Sequence, residues 1–408
     1  MALRLRHLIV LTPLLGSLLG TSQCGDDPVT WYRDVYPITR DNCQSCHQDG
    51  GIAPFSLETY ASAAPHAVEM AAAVETGYMP PWMPDGSCQS FEDARVLTQE
   101  QKDIFGAWSR QGAPEGDPAD APPEVEPEPG LLWIDASLAA EEAYTPSGEY
   151  MDEYRCFVLE PGLTEAQTLI GYEIHPGHAA EVHHVLLYET DLEEARALDA
   201  ADPDAGYLCF GGIGTDSSNM LGAWAPGSGA TRFPEDTGIS MTPGKAMVMQ
   251  IHYNLHNGDP MPDQTSIDLQ YAHADVIYPA TFSSLAQSDF AIPPYAPSYS
   301  ASASLIVSTD VTLWGVFPHM HQLGKDISVN LKRDGVEECL VHIPSWDFHW
   351  QQLYFYDTPQ GLPVYAGDRV TLTCTWSNNT GAVVTWGEGT DDEMCLNYFY
   401  VTAPAGAN

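Results

Sequence analysis

Residues 112 to 130 read "GAPEGDPADAPPEVEPEPG". A stretch so rich in Pro, Glu and Asp cannot build a core, and it predicts an extended spacer. It therefore forces the chain to fold as separate units on either side. Before it the texture is helical. "ASAAPHAVEMAAAVE" (61 to 75) is Ala-rich. "LTQEQKDIFGAWSRQG" (97 to 112) opens with Thr98 and Gln101 at capping-box spacing, carries Ile104, Phe105 and Trp108 on one face, and ends at Gly112 and Pro114. After it, runs of Val, Ile, Thr and Tyr are broken by Gly, Pro, Asn and Asp. "AMVMQIHYN" (246 to 254), "VTLWGVF" (311 to 317), "DRVTLTCTW" (368 to 376) and "EMCLNYFYVT" (393 to 402) read as strands, and Asp334-Gly335 as a hairpin turn. Such an all-β region, about 275 residues long, suits two sandwiches better than one. The expectation is a multidomain chain: a small all-α domain at 25–111, the linker at 112–130, and two antiparallel β-sandwiches at 131–278 and 279–408.

The surface must be strongly acidic. Against 56 acidic residues stand 15 basic ones, a formal net charge of -41. That field repels nucleic acid and anionic headgroups, so nucleic-acid binding is excluded as a function class. The opening "MALRLRHLIVLTPLLGSLLGTSQC" has the order of an export signal. Arg4 and Arg6 precede an apolar run, Leu8 to Gly20, that is too short to span a bilayer comfortably. It resembles a bacterial lipoprotein signal, with Cys24 as the lipidated residue; plain secretion is the alternative. The expected location is the bacterial periplasm or cell surface, with membrane contact only through that anchor. Nine cysteines in an exported chain suggest disulfides and cofactor attachment.

"CQSCH" spans Cys43 to His47. C-x-x-C-H is the attachment pattern of c-type heme: two thioethers to the porphyrin, with the histidine as an axial iron ligand. A redox C-x-x-C beside an unrelated histidine is the competing reading. "GYMPPWMPDG" (77 to 86) offers Met79 and Met83 as a second axial ligand, and Met/His ligation suits electron transfer. Segment 30–116 resembles small class I cytochrome c domains. Their distal methionine lies in a Met-Pro loop before the last helix, and the resemblance implies Met79 in that place. Met70 reads as packing and His66 as a solvated helix residue.

The β region carries its own ordered set. "EVHHVLLYE" holds His183 and His184, "MQIHYN" holds His252, "WGVFPHMHQLGK" holds His319 and His321, and "DDEMCLNYF" holds Met394. Side chains at i and i+2 of a strand share a face, so His319 and His321 point one way. By the same rule Gln250 lies beside His252 and becomes a candidate outer partner of a metal site. Imidazole suits copper, zinc, iron and nickel, while thioether favours Cu(I). Each motif alone has an ordinary structural reading: surface pair, core histidine or core methionine.

In order and spacing the four motifs resemble the copper type II, ascorbate-dependent monooxygenases. "LGAWAPGSGATRFPEDTGI" (221 to 239) also looks like that family's stretch between its first two motifs. The resemblance covers roughly residues 131–405. It implies two jelly-roll sandwiches, each holding one copper. His183, His184 and His252 would hold an electron-transferring copper. His319, His321 and Met394 would hold the copper where O2 meets the substrate, with Tyr398 nearby. The family's electron source is ascorbate, and another donor or redox partner protein would serve the same need. A Cys374–Cys395 disulfide is implied too; Cys88, Cys156, Cys209 and Cys339 pair in an order the sequence does not reveal. Two adjacent histidines on a regular strand face opposite ways, so a bulge, strand end or distorted turn is expected at His183-His184. The peptide-hydroxylating members have an arginine two residues before H-x-H, where it grips the substrate carboxylate. Here that residue is Phe317, which points toward an apolar or aromatic compound. The implied reaction is hydroxylation of an activated C–H bond with O2 and two electrons; the fusion adds a separate expectation, that the heme feeds the first copper, replacing or relaying the soluble reductant. The alternative is an electron-transfer or copper-handling protein on the same scaffold. His175, His178, His256, His273, His342 and His349 match no ligand position, and solvation or structural hydrogen bonding is the expectation for them.

Overall fold

The structure, a computed structural model, describes residues 27–123, 130–209, 212–255, 259–387 and 391–404. The export signal and Cys24 lie outside the described residues, as does His256. Among the described residues no helix is long and apolar enough to cross a membrane.

The helical unit forms where its patterning demands. The last helix runs Gln99–Arg110, and Thr98 and Gln101 make the reciprocal capping box. Its apolar face buries Phe105 and Trp108 against Trp31, the two indoles lying 5.6 Å apart. The Ala-rich run is not one helix. Pro65 has no amide hydrogen to donate, and the chain splits into Tyr60–Ala63, a 3-10 turn Ala64–His66, and Ala67–Thr76. The acidic stretch is not wholly a free spacer either. Its first residues run back along the helices: Trp31 and Tyr32 amides donate to the carbonyls of Pro114 and Glu115, and the Trp108 indole also donates to Pro114. Ala113 is buried there.

The β region builds two sandwiches that share one long sheet. In the first, a five-stranded sheet (Tyr207–Leu208, Asp152–Leu159, Lys245–Asn254, Val182–Asp191, Ser218–Trp224) supplies one face. Leu187, Met249 and Tyr253 from it pack with Leu169 and Tyr172 of the long sheet. In the second, Tyr299–Ile306, Arg369–Trp376, Gly324–Arg333 and Val336–Ile343 form the outer sheet. Val329, Leu372 and Trp376 pack there against Val316 and Phe399. The long sheet passes between the two because Tyr278–Ala286 pairs in parallel with Thr237–Met241 and antiparallel with Cys395–Thr402. The Asp334-Gly335 turn joins Gly324–Arg333 to Val336–Ile343, with both residues at positive φ (51° and 84°), as a tight hairpin requires. One element inside the β region has no counterpart in the strand reading: helix Leu192–Ala201, started by Asp191, whose carboxylate accepts from the amides of Glu193 and Glu194.

Three disulfides form: Cys88–Cys339, Cys156–Cys209 and Cys374–Cys395. The last bridges the two faces of the second sandwich beside Met394. The first ties the helical unit to the second sandwich. Around it the Asp85 amide donates to the His342 carbonyl (2.7 Å), Glu92 to Phe355 (2.9 Å), and Trp82 meets Tyr354 edge-on. The helical unit is thus docked covalently on the β region.

Candidate metal centres

The first centre lies at the end of the five-stranded sheet. Strand Val182–Asp191 pairs with Lys245–Asn254, but the register shifts: Val182 faces Tyr253 and His184 faces His252. His183 is an additional residue at that irregularity, which turns both adjacent imidazoles toward His252. The three Nδ1 atoms form a near-equilateral triangle with sides of 3.3, 3.1 and 3.2 Å. Metal–imidazole bonds of about 2.0 Å at a tetrahedral angle put donor atoms roughly 3.3 Å apart, so one small ion fits the triangle. His252 Nε2 donates to Asp152 Oδ1 at 2.8 Å, which leaves its Nδ1 as the acceptor nitrogen. Tyr154 stacks on His252 at 4.3 Å between centroids. Burial, joined by mutual repulsion, pushes His183 and His184 well below the ordinary imidazole value. Neutral imidazoles are what a metal needs.

The second centre uses the opposite ring nitrogens. His319 is the penultimate residue of the strand Val311–Met320 and His321 follows the strand, with their rings 5.2 Å apart; Met320 between them points into the core. His319 Nδ1 bonds Gln351 Oε1, and His321 Nδ1 bonds the Asp392 carbonyl at 3.1 Å. Both carbonyl-type partners require a proton on Nδ1, which makes Nε2 the acceptor nitrogen of each ring. Buried Glu393 organises the backbone here. One carboxylate oxygen accepts from the amides of His321 (3.0 Å) and Met394 (3.3 Å) and from the Trp376 indole (2.8 Å); the other accepts from Leu323. One side chain therefore fixes both arms of the site. Burial pushes Glu393 up to about 7 against the downward pull of those donors.

A cavity of about 280 Å³ joins the centres. His184 lines it from the first sandwich and His319, His321 and Met394 from the second. Phe317, Phe348, Trp386 and Tyr398 complete an aromatic wall. Tyr398 faces Phe317 across the ladder, the rings stacked at 6.2 Å. Gln250 also lines the cavity, but its amide nitrogen donates to the carbonyls of Cys209 (2.8 Å) and Gly212 (3.3 Å). It braces the loop held by Cys156–Cys209, and the outer partner of His252 is Asp152 instead. Alternation placed Gln250 beside His252 correctly, yet the partner comes from the neighbouring strand.

A second, larger cavity of about 370 Å³ lies in the helical unit and is mostly apolar. That is within the roughly 300–1,000 Å³ of small-molecule sites. Cys43, Cys46, His47, Met70 and Met79 line it. His47 Nδ1 bonds the Phe55 carbonyl at 2.9 Å, so its Nε2 is the acceptor. Cys43 and Cys46 are not bonded to each other, and burial pushes the Cys43 thiol up to about 12. Met83 is elsewhere: its sulfur accepts from the Asp347 amide at 3.3 Å. His66 stacks on Phe55.

Three groups escaped the sequence reading. Asp152 had no motif. Glu393 sat inside "DDEMCLNYF" but read only as acidic flank. His349, expected to be solvated or structural, places its ring 5.1 Å from that of His183.

Two sandwiches that bring imidazole-rich centres to one aromatic cavity are the framework of a two-centre redox-metal protein. The chain belongs to the copper type II ascorbate-dependent monooxygenase family: residues 137–260 match its N-terminal domain and 282–404 its C-terminal domain, together more than half of the chain. Tyramine beta-hydroxylase of Caenorhabditis briggsae is 27% identical over 252 residues, 56% of this chain and 40% of its own length. Human DBH-like monooxygenase protein 1 is 25% identical over 252 residues, 55% of this chain and 40% of its own. Dopamine beta-hydroxylase of Rattus norvegicus is 24% identical over 287 residues, 64% and 45% respectively. The chain thus spans less than half the length of these relatives.

Proposed function

We propose that this protein hydroxylates an activated C–H bond of a small apolar or aromatic compound. The balance is R–H, O2, two electrons and two protons giving R–OH and water. The observation that carries this reading is the shared cavity, with His184 on one side and His319, His321 and Met394 on the other. An electron carrier has no use for such a space, so the oxygenase is preferred over a copper-handling protein.

His183, His184 and His252 would hold one copper through Nδ1; His319, His321 and Met394 would hold the other through Nε2 and sulfur. Copper, when bound, supplies one-electron redox chemistry and O2 activation. The chain's own groups do the rest. Asp152 holds the proton on His252 Nε2, and Gln351 and the Asp392 carbonyl hold the protons on His319 and His321 Nδ1. Phe317, Trp386 and Tyr398 exclude water and orient a flat substrate. Among the described residues no Lys or Arg lines the cavity, so a carboxylate-ended peptide finds no counter-ion there.

Cys43, Cys46, His47 and Met79, which line one apolar cavity, would hold a c-type heme, and that heme would supply one-electron transfer, with ascorbate or another one-electron donor as the electron source. The working division is a heme unit at 25–111, a linker at 112–130 and copper sandwiches at 131–278 and 279–408. Three disulfides suit an oxidising compartment, in keeping with export and an anchor at Cys24.

The test is metal content, then product. Protein matured in a heme-attaching host and loaded with copper is expected to hold one iron and two coppers. The variant His319→Ala/His321→Ala is expected to lose one copper. Aromatic substrates are then screened for oxygen-18 transfer from O2. Stoichiometric heme with no firmly held copper, or full loading with no labelled product across the screen, would count against the reading.

A further inference from the structure

The segment Asp347 to Gln352 touches every centre of the molecule. Phe348–Trp350 is a single 3-10 turn, started by Asp347, whose carboxylate accepts from the His349 amide. Trp350 lines the cavity of Cys43, Cys46 and His47. His349, the next residue, sets its ring edge-on to His183 at 5.1 Å. Phe348 lies between the two copper sites, 5.9 Å from His252 and 6.0 Å from His321.

The helical unit grips the same turn. Arg95 donates to Gln352 Oε1 at 2.8 Å, and Met83 accepts from the Asp347 amide. Cys88–Cys339 fastens the whole contact. On the other side Gly227 closes against Cys46. A Cβ there would lie 2.8 Å from the Cys46 sulfur, and φ is +84°. The heme-attachment motif is therefore held against both sandwiches, and the chain from Trp350 to His349 spans the gap between its pocket and the three-histidine cluster.

We propose that the Phe348–Trp350 turn is the electron conduit: Trp350 receives the electron at the heme pocket and His349 passes it to His183. This rests on the reading of a c-type heme and copper at those two sites. One electron leaves ferrous heme, which becomes ferric, and one cupric centre becomes cuprous. An external one-electron donor such as ascorbate restores the heme. Electron tunnelling falls steeply with distance and favours bonded paths over gaps, and this path is one covalent stretch and one ring contact. Trp350 and His349 are positioning residues; neither touches substrate.

The experiment uses the full chain with heme and copper loaded and oxidised. A flash-generated one-electron donor reduces the heme, and decay of the ferrous absorbance is followed alongside the Cu(II) EPR signal. The expected decay is first-order, independent of protein concentration, and matched by loss of cupric signal. Trp350→Leu and His349→Leu are each expected to slow it about tenfold or more, while Trp350→Phe slows it less. Heme potential, heme content and copper content are expected to stay unchanged. His349 is exposed, so its variant tests the idea even where Trp350→Leu folds poorly. Unchanged decay in His349→Leu would overturn the conduit while leaving the monooxygenase intact. Loss of copper from His349→Leu would make it a ligand and overturn the conduit too. Absence of covalent heme in the parent protein would instead defeat the cofactor reading on which the conduit rests.

Discussion

Glu393→Gln separates the geometry of the second centre from its charge. The carboxylate accepts four hydrogen bonds, three on one oxygen and one, from Leu323, on the other. Glutamine has one acceptor oxygen. Its best placement keeps the three and turns the amide nitrogen toward the Leu323 N–H, donor against donor. An orphaned buried donor costs about 1–3 kcal/mol. Loss of the charge adds little at neutral pH, because burial already holds the carboxyl up to about 7. The expected loss of stability is therefore about 1–3 kcal/mol, read by guanidinium unfolding of the copper-free protein. The metal effect is larger in proportion, since Glu393 sets the backbone of both His321 and Met394. Changes in groups that orient ligands cost roughly 10–100-fold in metal affinity. Titration against a competing chelator is expected to show the second copper weakened by that factor and the first unchanged. If both coppers bind as in the parent protein, Glu393 does not organise the site.

Three further outcomes are expected. Asp152→Asn weakens the first copper by about 10–100-fold and spares the second, because it disturbs the proton on His252 Nε2; copper-resolved EPR during titration checks this. Cys88→Ser/Cys339→Ser opens a cross-link spanning 251 residues, for which chain entropy alone gives roughly 5 kcal/mol, with observed losses of about 2–5. Denaturant unfolding under oxidising conditions measures it, and an unchanged midpoint would mean the docked segment stands without its bridge. Met79→Leu lowers the heme reduction potential and Met83→Leu does not, since of these two only Met79 lines the pocket; spectroelectrochemistry decides, and the reverse pattern would reassign the axial ligand.

Much of the centre was legible because short-range chemistry wrote it. Strand alternation put His319 and His321 on one face, and the structure keeps that arrangement with Met320 in the core. Two adjacent histidines demanded an irregular strand, and the register shift at His183 supplies it. The resemblance paired Cys374 with Cys395, as observed. Where local reasoning failed, a partner came from far along the chain. Gln250 was chosen as the companion of His252 by spacing, but Asp152, 100 residues away, holds the ring. The Ala-rich run at 61–75 looked like one helix until Pro65 broke it.

By itself the sequence determined which residues are candidate ligands, where most of the strands and the last helix of the helical unit lie, and that a C-x-x-C-H motif, three imidazole-bearing motifs and one methionine motif share one chain. These follow from residue chemistry and from periods of two and 3.6, which act over a few neighbours. Only the tertiary structure decided that the three-histidine cluster and the His319, His321 and Met394 group open on one cavity and that the helical unit is bolted to the sandwiches by Cys88–Cys339. It alone brings His349 and Trp350 between the cavity of Cys43, Cys46 and His47 and the three-histidine cluster. Those facts depend on the packing of sheets and on contacts hundreds of residues apart, where no local pattern says which surfaces meet.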